Sequence, residues 1–233
     1  MASIRINTSI LSGLERKAID WIVPKLPGSV TPDKLTAFGT FGAAVTLLGY
    51  LASWRHPAFL WLASFGLVIH WFGDSLDGNL ARYRKIERPR YGYFLDQTID
   101  VFGNFLICFG MGLSPFVDMR VALVALAGYH MVSIYVFVRA NIAGDFHVSV
   151  LNSGPTEMRV LIITMNTLIY FFGAPEFTLA GIVLTWCDIT VSLWSIGVMT
   201  AFLYLIFSYA PTLRDADDAD RAARQAAAEK PEN

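Results

Sequence analysis

The chain has 233 residues, of which 55% are hydrophobic and only 16% charged, and its mean hydropathy is +0.48. Soluble domains carry about 25% charged residues, so this composition excludes a disordered chain and argues against an ordinary water-soluble enzyme. The net charge of −1 gives no electrostatic basis for nucleic-acid binding, and Cys108 and Cys187 both lie in apolar runs that suit no disulfide framework.

The N-terminal arm comes first. Leu11, Leu14, Ala18, Trp21 and Ile22 recur at helical spacing, with Ser12, Glu15, Arg16 and Asp20 elsewhere on the wheel. This pattern predicts a short amphipathic helix, which either lies in the headgroup layer or packs against the rest of the chain. Pro24 and Pro27 end it. Charges at Glu15, Arg16 and Lys17 break the first apolar stretch, so no cleavable signal peptide is expected.

Six segments then have the length and apolarity of membrane helices: Lys34–Ser53, Pro57–Asp77, Gly92–Leu113, Arg120–Arg139, Met158–Gly173 and Ile182–Tyr209. The fifth is short, and the sixth is long enough to tilt or to extend past the bilayer. Alternate sides of these spans carry sixteen and two Lys or Arg residues, respectively. Basic connections stay in the cytoplasm, which places both termini and the second and fourth connections there. From Pro211 onward the chain is rich in Ala, Asp, Arg and Glu and reads as a solvated helix or a disordered tail. The expected organisation is an all-α multi-pass membrane protein with an interfacial arm (1–30), a six-helix membrane domain (31–210) and a charged cytoplasmic tail (211–233).

The chemistry is concentrated around the second connection. Asp74 and Asp77 are three residues apart and share a helix face; Asp96 and Asp100 are four apart and share another. The short basic connection between them makes the two helices antiparallel neighbours, so all four carboxylates can converge just inside the cytoplasmic boundary. An ionised side chain at membrane depth costs at least ~2.5–3.5 kcal/mol. Arg82 is the nearest base and cannot offset four acids. Carboxylates are hard ligands suited to Mg²⁺ or Mn²⁺, and four of them suggest two cations acting on a phosphate. Helix capping explains one or two of these acids but not two spaced pairs. A divalent cation transporter needs acids spread across the membrane depth, whereas the later spans contain only Asp188. Gly78 and Ala81 either leave room for an extended ligand against the helix or permit close helix packing. Arg82 could grip a diphosphate.

Asp74, Asp77, Gly78, Ala81 and Arg82, followed by Gly92, Asp96 and Asp100, resemble the signature of the CDP-alcohol phosphotransferase family, D-x-x-D-G-x-x-A-R and then G-x-x-x-D-x-x-x-D, at all eight fixed positions. The chain departs in the connection: nine residues separate Arg82 from Gly92 where the family usually has eight, and Pro89 stands where a small hydroxyl residue is common. Thr31-Pro32-Asp33-Lys34-Leu35-Thr36 resembles a segment that touches cytidine in some members, which points to Asp33 and Thr36, although both suit a helix cap.

The resemblance implies a bacterial inner-membrane enzyme whose site faces the cytoplasm. A CDP-linked donor would react with an acceptor hydroxyl and release CMP. Asp74 and Asp96 would bridge two Mg²⁺ or Mn²⁺ ions, Asp77 and Asp100 would complete one site each, and Asp100 would also be the general base. Gly78, Ala81 and Arg82 would hold the cytidine diphosphate. A homodimer in membrane lipid is also implied.

Two branches of the family remain open. Ser153-Gly154-Pro155-Thr156-Glu157 resembles the G-P-T-E run of the choline and ethanolamine phosphotransferases, which act on diacylglycerol, but Gln97 stands where that branch has His. Chain length and the Thr-Pro-Asp run favour the branch that takes CDP-diacylglycerol. Arg139 and Arg159 could serve a phosphorylated acceptor or anchor the interface, and His147 and Glu157 are further candidate acceptor contacts.

Overall fold

The computed structural model describes residues 4–6, 11–143, 145–147, 154–179 and 181–228. After a short strand β1 (Ile4–Ile6) come α1 (Ser12–Ile22), a 3₁₀ turn (Val23–Lys25), α2 (Pro32–Ala52), α3 (Phe59–Arg84), α4 (Pro89–Gly112) and α5 (Met119–Ala143). The chain continues through β2 (Asp145–His147), α6 (Pro155–Phe172), the strands β3 (Glu176–Leu179) and β4 (Ile182–Thr185), and α7 (Trp186–Ala228). The protein is built on helices. β1 pairs in parallel with β2, and β3 pairs with β4 as an antiparallel hairpin.

The tightest packing is between α2 and α3, and glycine makes it possible. A Cβ on Gly42 would come within 2.7 Å of the Gly66 carbonyl oxygen, and one on Gly66 within 2.5 Å of the Thr46 nitrogen. A Cβ on Gly73 would strike the backbone of Gly39 and Leu35. Along this seam the two backbones touch without intervening side chains, the arrangement that small residues allow between membrane helices. α2 also packs against α4, whereas α3 and α4 touch each other only slightly.

A buried polar staple ties α6 to this pair. The Tyr50 hydroxyl donates to Asn166 Oδ1 at 3.0 Å, and Asn166 Nδ2 donates to Ser64 Oγ at 3.1 Å. All three side chains are buried, so each needs the others to offset its desolvation.

Four helices, α2, α3, α5 and α7, are long and apolar enough to cross a membrane, counted over the described residues. α4 and α6 carry Arg90, Asp96 and Asp100, and Glu157 and Arg159, respectively, which dilute their hydropathy. The run read as Ile182–Tyr209 differs in its start. Thr185 N donates to Asp188 Oδ2 at 2.8 Å and Asp188 N donates to Thr185 Oγ1 at 3.1 Å. This reciprocal capping pair starts the helix at Trp186, and the apolar residues before it form β4 after a turn at Gly181, where φ is +81°. The far end of α7 continues through Pro211 to Ala228. Proline forfeits one backbone hydrogen bond there, but the following Ala-rich stretch favours helix, and Arg221 pairs with Asp218 at 3.5 Å.

Candidate active site

α3 ends at Lys85, which adopts a left-handed conformation (φ 57°) and closes the helix through Ile86 N donating to the Ala81 carbonyl at 3.0 Å. α4 starts at Pro89. The connection is therefore short, and it is braced rather than merely basic. The Arg84 guanidinium donates to the carbonyls of Val30 at 2.5 Å, Leu26 at 3.0 Å and Pro27 at 2.9 Å. Arg88 forms an ion pair with Asp33 at the start of α2 and lies 4.3 Å from the centre of the Tyr91 ring. Arg84 and Arg88 therefore add more than positive charge to the connection: their hydrogen bonds and ion pair brace it.

On this frame Asp74 from α3 and Asp96 and Asp100 from α4 come together, with one carboxylate oxygen from each lying within 4.8 Å of the others. Asp77 is outside this group. It is buried, and its Oδ2 accepts a 2.6 Å hydrogen bond from the Thr36 hydroxyl of α2. Thus Asp33 is paired with Arg88 and Thr36 with Asp77. The Asp77 contact brings a residue of the Thr-Pro-Asp run directly against the acidic signature.

A buried base meets the cluster from α6. Arg159 of α6 is buried, and its Nη2 donates to Asp74 Oδ2 at 2.5 Å. Its Nε donates to Nδ1 of the buried His70 at 3.1 Å, which holds the guanidinium against α3. His70 itself is admitted by Gly103 of α4, where a Cβ would lie 2.7 Å from its Nε2. His70 is not legible in the sequence, because a lone histidine in an apolar helix carries no periodic signal. Three carboxylate oxygens gathered this closely are hard anionic donors, the chemistry that Mg²⁺ and Mn²⁺ prefer; the residues present fit a divalent cation.

The signature's small residues are also placed. A Cβ on Gly78 would meet only the Arg82 guanidinium, at 3.5 Å, and no neighbouring helix backbone. Gly78 is thus unlike Gly73 one turn earlier: it does not serve helix packing, and its face is open beside Asp77. Arg82 Nη2 donates to Asn79 Oδ1 at 3.0 Å. Ala81 stands between them on the last turn of α3.

The remaining candidates include two with contacts to other parts of the chain. Glu157 caps α6, with Oε2 accepting from Gly154 N at 3.0 Å, and its Oε1 accepts from Leu11 N at 2.7 Å. The Arg139 guanidinium lies 4.8 Å from the centre of the Tyr209 ring of α7. His147 falls on β2, and its side chain lies outside those described.

Asp74, Asp96 and Asp100 line a cavity of about 440 Å³ whose remaining wall, from α4, α5, α6 and α7, is mostly apolar. A second cavity of about 200 Å³ shares Asn104, Tyr129, Met158 and Trp194 with the first and reaches Met111 and Ala122. Charged oxygens and an apolar space therefore meet in one place.

Residues 29–194 match the family model described as CDP-alcohol phosphatidyltransferase. The chain belongs to that family. Among curated relatives it is 40% identical to the phosphatidylinositol phosphate synthase of Cutibacterium acnes, over 38% of this chain and 40% of that protein. It is 36% identical to the archaetidylinositol phosphate synthase of Pyrococcus horikoshii, over 50% of this chain and 58% of the relative. The match therefore spans about half the length of these two relatives. The archaetidylinositol phosphate synthase of Methanothermobacter thermautotrophicus is 29% identical over 76% of this chain and 87% of its own. The fold is similar to that of the Mycobacterium tuberculosis phosphatidylinositol phosphate synthase, solved in apo form (TM-score 0.54, 18% identity, 85% of this chain and 95% of that one) and with CDP-DAG bound (TM-score 0.52, 20% identity, 84% and 90%).

Proposed function

We propose that this protein is a six-span membrane transferase that takes CDP-diacylglycerol at the cytoplasmic face and passes its phosphatidyl group to a hydroxyl of a phosphorylated polyol of the inositol phosphate type, releasing CMP. The observation that carries this reading is the junction of clustered Asp74, Asp96 and Asp100 oxygens with an apolar cavity, beside the open face of Gly78. The names of the relatives, and the CDP-DAG bound to a protein of similar fold, support the choice of donor and acceptor. α4 and α6 complete the six spans, and α1 lies in the headgroup layer with both termini in the cytoplasm.

The roles follow from chemistry and position. Asp74, Asp77, Asp96 and Asp100 would hold two divalent cations, Mg²⁺ or Mn²⁺. When bound, such cations offset carboxylate charge and draw electron density from a phosphate. Gly78 leaves the donor diphosphate a close approach to the end of α3, where Arg82 supplies a forked pair of donors. Ala81, Asp33 and Thr36 line the approach for the nucleotide. The diacylglycerol part lies in the apolar cavity, where its burial drives binding. The acceptor oxygen forms a bond to the phosphorus nearest the donor lipid, the bond from that phosphorus to the CMP oxygen breaks, and Asp100 receives the hydroxyl proton. Arg159, at the centre of the site, is the best placed group to meet the acceptor's phosphate; Arg139, His147 and Glu157 stand further along the same connection.

The test is turnover by purified protein in lipid nanodiscs. CDP-diacylglycerol with inositol phosphate should give CMP and a phosphatidylinositol phosphate, identified by mass spectrometry. Product from CDP-choline or CDP-ethanolamine with diacylglycerol would favour the branch that the Gly154-Pro155-Thr156-Glu157 run resembles. Absence of CMP release with every pair would refute the transferase reading. Asp100→Asn should lower turnover at least ~10²-fold, the low end of a general base's contribution, while donor binding persists. The proposed homodimer is checked by cross-linking in the same nanodiscs.

A further inference from the structure

The N-terminal helix makes a connection that the transfer reaction as described does not use. A single oxygen, Glu15 Oε1 of α1, accepts three hydrogen bonds: from Trp71 Nε1 at 3.1 Å, from Ser75 Oγ at 2.9 Å and from Thr156 Oγ1 at 2.8 Å. Trp71 and Ser75 belong to α3, and Thr156 to the first turn of α6. Ser75 directly follows Asp74. Thr156 is three residues before Arg159 and so lies on the same helix face. The two residues that form the ion pair at the site, Asp74 and Arg159, are thus each anchored through a near neighbour to one carboxylate on a third helix.

The arm is fastened at further points to the same part of the chain. Glu157 joins Leu11 N to the cap of α6, and β1 pairs with β2, Ile4 opposite Asp145. On its inner side α1 buries Ile19, which with Val23 packs against Leu35, Leu76 and Leu80. Its outer side exposes Leu14 and Trp21, and the Lys25 amine lies 3.2 Å from the centre of the Trp21 ring. A helix held on one side and amphipathic on the other fixes its own depth at a membrane surface.

We propose that Glu15 is a positioning residue for the transfer reaction: by joining α1 to α3 and α6 it fixes Asp74 and Arg159 relative to one another. This rests on the transferase reading above. A carboxylate makes stronger hydrogen bonds than a neutral acceptor, and three donors from two helices leave those helices little freedom to rotate. The fold does not depend on it, because the Tyr50–Asn166–Ser64 staple joins α6 to α2 and α3 independently. Loss of Glu15 should therefore loosen the cytoplasmic end of α6 and leave the bundle folded.

The test compares wild type, Glu15→Ala and Glu15→Gln as full chains in nanodiscs. It reads hydrogen exchange over 12–22 and 154–160, Mn²⁺ affinity by paramagnetic resonance, and kcat and KM separately. In Glu15→Ala, exchange over both segments rises, Mn²⁺ binds about tenfold more weakly and kcat falls about tenfold, the equivalent of one lost hydrogen bond to a charged group, with donor KM within about twofold. Glu15→Gln keeps an acceptor oxygen, weaker and with two lone pairs, at the same place and restores Mn²⁺ affinity and kcat to within about threefold of wild type. Glu15→Ala with unchanged Mn²⁺ affinity and kcat would overturn the proposal, as would Glu15→Gln as impaired as the alanine variant. A wild-type protein that neither binds Mn²⁺ nor releases CMP would instead remove the transferase reading, and this inference with it.

Discussion

Gly73 and Gly78 are five residues apart on one helix and do opposite things, which makes them a sharp test at the level of single residues. Alanine at Gly73 would drive a methyl group into the backbone of Gly39 and Leu35. Overpacking of this kind costs typically ~1–3 kcal/mol, so Gly73→Ala should lower the melting temperature in detergent. Alanine at Gly78 meets only the end of the Arg82 side chain, and it removes the ~1 kcal/mol penalty of glycine in a helix. Gly78→Ala should therefore melt at or above the wild-type temperature while the KM for the CDP-linked donor rises about tenfold, as expected for one lost close approach worth ~1.4 kcal/mol. A variant with unchanged donor KM would show that Gly78 is open by accident. The spacing of Asp74, Asp77, Asp96 and Asp100 was legible in the sequence because helix geometry is periodic. Glu15, His70 and Arg84 were not, because their partners lie far along the chain: 56, 60 and 141 residues away for Glu15, and 89 for His70. On the helical wheel Glu15 is only a polar position at the edge of an apolar stripe.

Among the elements, the six apolar segments correspond to α2 through α7, with starts and ends shifted by up to seven residues except at the last terminus. Continuous apolarity marks a helix well but marks its ends poorly. Lys85, Thr31 and the Thr185–Asp188 pair set three of those ends by backbone geometry and capping. The strand β4 was hidden at the start of what reads as one apolar run, and β3 lies in the connection just before it. Asp188 illustrates the same limit: its carboxylate accepts from Thr185 N and, at 2.7 Å, from Asp118 N, so it is a helix cap rather than a member of a cation path. At this scale the Asn166 staple gives a prediction. Asn166→Ala leaves the buried Tyr50 hydroxyl and Ser64 without their partner, at a cost of ~1–3 kcal/mol for each unsatisfied buried group. The variant should melt several degrees below wild type, and circular dichroism should show its helix content retained below that temperature.

For the molecule as a whole, the four acids are divided between helices that scarcely touch. α3 is backed by α2 along the glycine seam, α4 rests on α2 and α5, and direct contact between α3 and α4 is slight. Like charges on the two sides of that gap repel, so a ligand of opposite charge that binds only the folded state stabilises it by mass action, by about 2.7 kcal/mol at a hundred times its Kd. Chelation of divalent cations should accordingly lower the melting temperature of the wild-type protein, and readdition of Mg²⁺ should restore it. The triple variant Asp74→Asn, Asp96→Asn, Asp100→Asn should show no such dependence.

The glycine seam has a mechanical consequence. Two backbones in direct contact cannot slide or part without losing contact along their whole length, so α2 and α3 behave as a single plank, with Asp74 and Asp77 nailed to its edge. Any widening of the apolar chamber must therefore be done by the other wall, where α5, α6 and α7 enclose it.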